Sequence, residues 1–138
     1  MKRHQYFKTV IGCMLLLVFF VAFILWHHQS SRYPDTPISQ LDQQFKSIKD
    51  YKSTVIIFHK TGCSDCEKVQ KSVVETVRQD KRTHYIVLDT RNQQTKKYVK
   101  QYNVTEVPTF ISLRYGKVGK SYSGTIIKNI DKVFQKMP

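Results

Sequence analysis

Cys63-Ser64-Asp65-Cys66 places two thiols two residues apart, directly after the strand-like run Thr54-Val55-Ile56-Ile57-Phe58 and at the start of a helical pattern. Two cysteines on the first turn of a helix can close a small disulfide, and the helix dipole favours the thiolate of the leading one. The chemistry this predicts is thiol-disulfide exchange, with Cys63 the exposed attacking thiol and Cys66, one turn deeper, resolving the mixed disulfide. Lys60 and Lys68 favour the thiolate, whereas Asp65 sets like charge beside it and argues for a more reducing protein. As a staple alone the bridge would close too short a loop to stabilise the fold by chain entropy.

A zinc site competes for the same residues, because His59 or His84 could join Cys63 and Cys66 as ligands. A structural zinc site usually shows a second close pair, and none follows Cys66, so neither metal nor cofactor is expected. Cys13 sits inside an apolar run and reads as a small apolar residue. Two remaining cysteines are too few for a disulfide scaffold, so packing must hold the fold.

The elements that position the dithiol begin with its anchor. Thr9 to Trp26 is 18 residues without a charge, which as a helix spans roughly 27 Å, close to the hydrocarbon thickness of a bilayer. Tyr6, Phe7 and Trp26 suit the interfaces, and Lys2, Arg3 and Lys8 precede the run while only Arg32 closely follows it. The positive-inside rule then keeps residues 1–8 in the cytoplasm and sends the thiols outward across a span over 9–26. No small-x-small site follows at a cleavage distance, and Val10-Ile11-Gly12-Cys13 lies too early in the run for a lipobox, so an uncleaved signal anchor is expected. Residues 27–38, with His27, His28, Ser30, Ser31, Pro34 and Pro37, read as a tether.

The domain is expected over 39–138. Ser39 caps a helix with Leu41, Phe45 and Ile48 on one stripe, and Thr54 to His59 forms a buried strand. Val69, Val73 and Val77 mark the dithiol helix, with Glu67 and Lys71 as an i,i+4 pair on another face. Tyr85 to Leu88 is a second strand, and Asn92 to Tyr102 a helix. Val107-Pro108-Thr109 heads a strand over Phe110 to Arg114; Tyr115-Gly116-Lys117 turns into Val118 to Tyr122; a last helix carries Ile126, Ile130, Val133 and Phe134. The order is α-β-α-β-α-β-β-α, an α/β domain.

The formal charge is +13, and removing Lys2, Arg3 and Lys8 leaves +10 on residues 27–138. The basic residues are scattered, without a nucleic-acid fold signature or a basic and aromatic stripe, so anionic lipid or cell-wall polymer is the expected polyanionic neighbour and nucleic acid is not.

The combination of Gly62-Cys63-Ser64-Asp65-Cys66 with Tyr102-Asn103-Val104-Thr105-Glu106-Val107-Pro108-Thr109-Phe110, in this element order, resembles the thioredoxin-like superfamily over nearly all of residues 39–136. The resemblance implies a thioredoxin-like fold and a cis Val107-Pro108 peptide beside the dithiol, with Val107 and Pro108 forming a substrate platform. Small membrane-tethered bacterial members, including accessory proteins of bacteriocin export and conjugation, look similar. It further implies exported thiol- or disulfide-containing substrates and a membrane redox partner for recycling. The sequence departs from the family pattern at Gly62 in place of Trp, at Ser64-Asp65 in place of Gly-Pro, and at Ile57 and Tyr85, where thioredoxin has a buried acid and its partner lysine. A non-catalytic interaction module of a secretion or transfer complex is the alternative those departures favour.

Overall fold

A computed structural model describes the backbone of residues 2–30 and 32–135 and the side chains of 11–26 and 32–135. The chain divides into two units, 1–32 and 33–138. In the first, α1 runs over Lys2–Ser30, and its described side chains, 11–26, are exposed. Among the described residues no helix is long and apolar enough to cross a membrane. The span expected over 9–26 begins at Thr9 and Val10, which lie outside the residues whose side chains are described.

The second unit is built on β1 (Thr54–His59), β2 (His84–Asp89), β3 (Thr109–Arg114) and β4 (Lys117–Ser123), in the sheet order β2-β1-β3-β4. β1 pairs parallel with β2 and antiparallel with β3, and β3 pairs antiparallel with β4. Every residue of β1 is buried, as a central strand covered on both faces requires. Because side chains alternate, Val55 and Ile57 join Val69, Val73, Val87, Phe110, Ile130 and Val133 in one cluster. Ile56 and Phe58 join Leu41, Ile86, Leu88, Tyr98, Ile111 and Leu113 in the other. Helices α3 (Ser64–Gln79) and α5 (Ile127–Phe134) therefore cover the first face, and α2 (Ile38–Lys46) and α4 (Lys96–Gln101) the second.

Several boundaries differ from expectation for local reasons. α2 starts at Ile38 with Pro37, φ −55 and ψ 132, as its extended lead-in, so Ser39 falls inside the first turn and is not the cap. The helix expected over Asn92 to Tyr102 opens as a 3-10 turn at Gln93–Thr95, with the Asn92 side chain accepting from the Gln94 N–H, before α4. Ile126 is the extended residue before α5 and is exposed, so the buried stripe reduces to Ile130 and Val133 with Phe134 half-buried. On α3 an ion pair joins Lys68 to Asp65 at 2.6 Å. The hairpin forms as expected, with Tyr115 and Gly116 at φ 48 and 77, the positive torsions that a two-residue turn matching strand twist demands.

The tether expected over 27–38 ends sooner. Tyr33 is buried in the α3-side cluster, the Thr36 N–H donates to the Val87 carbonyl at 2.9 Å, and the Val87 N–H donates to the Thr36 hydroxyl at 3.0 Å. Residues 33–37 thus form a strap along the edge strand β2, covering main-chain groups that an edge leaves open.

Candidate active site

The end of β1 and the start of α3 make the site. Gly62 turns the chain between them at φ +78; a Cβ there would meet nothing within 4 Å, so torsion and not space calls for glycine. The Thr61 hydroxyl donates to the Asp89 carboxylate at 2.6 Å, which ties this loop to the end of β2, and the Cys63 N–H donates to the Lys60 carbonyl at 3.1 Å, which closes the turn. Cys63 then occupies the N-cap of α3 with extended torsions, φ −95 and ψ 118, and its carbonyl accepts from Glu67 at 3.0 Å.

This position sets the two thiols apart. Cys63 is half-buried, whereas Cys66 is 1% exposed. The Cys63 thiol is held below its ordinary pKa chiefly by the main-chain N–H of Cys66, then by the Cys66 thiol and the main chain of Asp65. Burial and the Asp65 carboxylate oppose that shift. Burial pushes the Cys66 thiol up to about 12, with the neighbouring Cys63 and Asp65 adding to it and the Lys60 main chain acting against it. Cys66 therefore stays protonated at neutral pH while Cys63 is the thiol that ionises.

The five remaining residues singled out in the sequence divide by role. Asp65 raises Cys63 as expected, and Lys68, drawn mainly to Asp65, also feels the Cys63 charge. Lys60 acts on Cys66 through its main chain, and its side chain is exposed at the turn. Val107-Pro108 is cis, and the Val107 carbonyl stands 4.0 Å from the Cys63 sulfur. The Pro108 carbonyl accepts from Gly124 at 3.0 Å, tying this loop to the end of β4.

The shift on Cys63 has a measurable consequence. Alkylation of Cys63 by iodoacetamide is expected to rise with pH through a midpoint below that of a free cysteine, because the thiolate is the reacting form. Asp65→Asn removes a charge that opposes the thiolate and should move the midpoint lower still. An Asp65→Asn midpoint above that of the unsubstituted chain would contradict this electrostatic account.

His59 and His84 are committed elsewhere. The Nε2 of His59 lies 2.5 Å from the Asp35 carboxylate, and that of His84 bonds the Gln44 amide while its ring stacks on Tyr51. Among the described residues no group of three His, Cys, Asp or Glu side chains is arranged to hold a metal ion. Ile57 is fully buried and has no ionisable group, and the Tyr85 phenol turns to Asp80 at 3.4 Å while its ring meets Phe134 edge-on.

The residue that sequence reasoning missed is Tyr33. Its hydroxyl donates to the Cys66 carbonyl at 2.9 Å, and its ring stacks on His59 with centroids 4.2 Å apart. The one available signal was an aromatic residue within a segment otherwise rich in proline and serine.

The profile of the family described as thioredoxin matches residues 37–137. Solved structures similar to the chain include mitochondrial thioredoxin 3 of Saccharomyces cerevisiae in oxidized form, at 22% identity and TM-score 0.59, covering 67% of this chain and 85% of that one. Thioredoxin NaTrxh from Nicotiana alata aligns at 20% identity and TM-score 0.62, over 68% and 81% of the two chains. Thioredoxin O2 from Arabidopsis thaliana, in oxidized state, aligns at 16% and TM-score 0.63, over 77% and 93%. No curated protein sequence matches significantly. The profile spans well over half of the chain, and the chain therefore belongs to the thioredoxin family.

Proposed function

We propose that this chain is a membrane-tethered, extracytoplasmic thiol-disulfide oxidoreductase acting on exported or envelope proteins. The observation that carries the redox reading is the division of labour within the dithiol: a half-exposed Cys63 favoured as thiolate at the α3 N-terminus, above a Cys66 buried as thiol. In the reducing direction the Cys63 thiolate attacks a substrate disulfide, forming a mixed disulfide and releasing one substrate thiolate. Cys66 gives up its proton and attacks the Cys63 sulfur, closing Cys63-Cys66 and releasing the second thiolate. Two electrons pass to the substrate, and the reverse sequence forms a disulfide. Asp65 beside the thiolate favours the reducing direction.

The uncharged run over 9–26 behind Lys2, Arg3 and Lys8 supports the tether and its orientation. Recycling then falls to a membrane redox partner, and the charge of +10 on residues 27–138 favours a surface of anionic lipid or wall polymer. The second reading, a non-catalytic module of a secretion, bacteriocin-export or conjugation complex, draws on one observation: neither Ile57 nor Tyr85 sets an acid or a lysine beside Cys66.

Trapping separates the two. Full-length Cys66→Ser in native membranes should accumulate mixed disulfides on Cys63 that dithiothreitol releases, and a membrane-impermeant maleimide should reach Cys63 from outside intact cells. A partner retained equally well without either thiol, and no mixed disulfide, would favour the module.

A further inference from the structure

Cys66 must lose a proton and then meet the Cys63 sulfur, yet the acid and lysine of the family pattern are absent at Ile57 and Tyr85. What lies against Cys66 instead comes from the strap. Asp35 holds His59 Nε2 at 2.5 Å, the His59 ring lies on the Tyr33 ring at an interplanar angle of 19°, and the Tyr33 hydroxyl reaches the Cys66 carbonyl at 2.9 Å. Tyr33 and His59 are both buried, so the ring stack has little freedom to turn. The Tyr33 phenol is also raised, by burial first and then by the charges of Cys66 and Cys63.

We infer that Tyr33, oriented by the Asp35-His59 pair, is the positioning residue of the resolving step: its hydroxyl anchors the first turn of α3 so that Cys66 is set against Cys63. The inference rests on the thiol-exchange reading above. A helix carbonyl already accepts one bond from within its own helix, so the Tyr33 donation is an additional tie from the strap to the turn that carries the buried thiol. Cys63 attacks from the N-cap without moving Cys66, whereas resolution needs the two sulfurs in a near-attack arrangement that a loose turn would populate less. Tyr33, held by the Asp35-His59 pair, therefore acts on the second step and spares the first.

The two steps can be read separately with a symmetrical nitrobenzoate disulfide whose released thiolate is yellow, applied to the full chain in detergent and in a Cys13→Ala background. Attack by Cys63 releases the first coloured thiolate, and resolution by Cys66 releases the second. Tyr33→Phe should leave the first release within about twofold and slow the second about tenfold, the scale of one lost hydrogen bond. Thr36→Val removes the hydroxyl that accepts from the Val87 N–H, one of the strap's two bonds to Val87, without changing Tyr33, and should leave both rates in place. An unchanged second release in Tyr33→Phe would overturn the inference, and so would an equal slowing by Thr36→Val, which would assign the effect to strap docking in general. Unfolding of Tyr33→Phe would assign the hydroxyl to stability and overturn it as well. Absence of the second release in the unsubstituted dithiol would instead sink the redox reading beneath it.

Discussion

Cys63→Ser in the full chain is expected to bring the reduction of a test disulfide, driven by dithiothreitol, down to the rate of the reductant alone. A hydroxyl at neutral pH is not ionised and does not attack sulfur, so the lost step is the first one and Cys66 cannot replace it: its thiol is buried and pushed up to about 12. The same substitution should leave the fold intact or slightly firmer. Cys63 sits at the N-cap of α3 in extended conformation and makes no side-chain cap bond, whereas serine is among the preferred N-caps. Activity and stability therefore move apart, and the unfolding midpoint in urea, measured on the same sample, should be equal to or above that of the unsubstituted chain. Turnover by Cys63→Ser equal to the unsubstituted rate would remove the mechanism.

Phe110→Ala should cost about 3 to 5 kcal/mol of unfolding free energy, because it removes a large side chain from a packed core and leaves a cavity. Phe110 is fully buried on β3 opposite Ile57, shares the cluster that holds Cys66 and Val69, and meets Phe134 edge-on at 5.7 Å. Domains of this kind have only about 5 to 15 kcal/mol to lose, so the substitution takes a large share of the total. Val118→Ala on β4, where Val118 is 59% exposed, provides the contrast and should stay within about 0.5 kcal/mol. A Phe110→Ala loss under about 1 kcal/mol would show that this cluster is not what holds the sheet to α3 and α5.

The strands were legible because their apolar runs are continuous: Thr54–His59 and Tyr85–Leu88 needed no tertiary knowledge, and β1 is buried throughout. The dithiol helix was legible from Val69 and Val73, which repeat at helical spacing and are both buried. Helix starts were less so. Ser39 has the chemistry of a cap, but Pro37 already carries the extended torsions that end the preceding segment, and one residue's propensity lost to its neighbour's fixed φ. Ile126 fitted the apolar stripe of α5 by spacing yet remained outside the helix, beside a Tyr122 hydroxyl that accepts from its N–H at 3.1 Å.

The dithiol, its place between β1 and α3, the order of elements and the distant Val107-Pro108 can be read along the chain, because spacing and alternation are local properties. Which groups surround the thiols depends instead on how the folded chain packs. That packing drew Tyr33 and Asp35 out of an apparent tether and brought Tyr33 against Cys66, 33 residues away, and Asp35 against His59, 24 residues away. Such partners come from long-range packing: a buried phenol gains by covering apolar surface and must then satisfy its hydroxyl, and the acceptor it finds depends on where the chain has already folded.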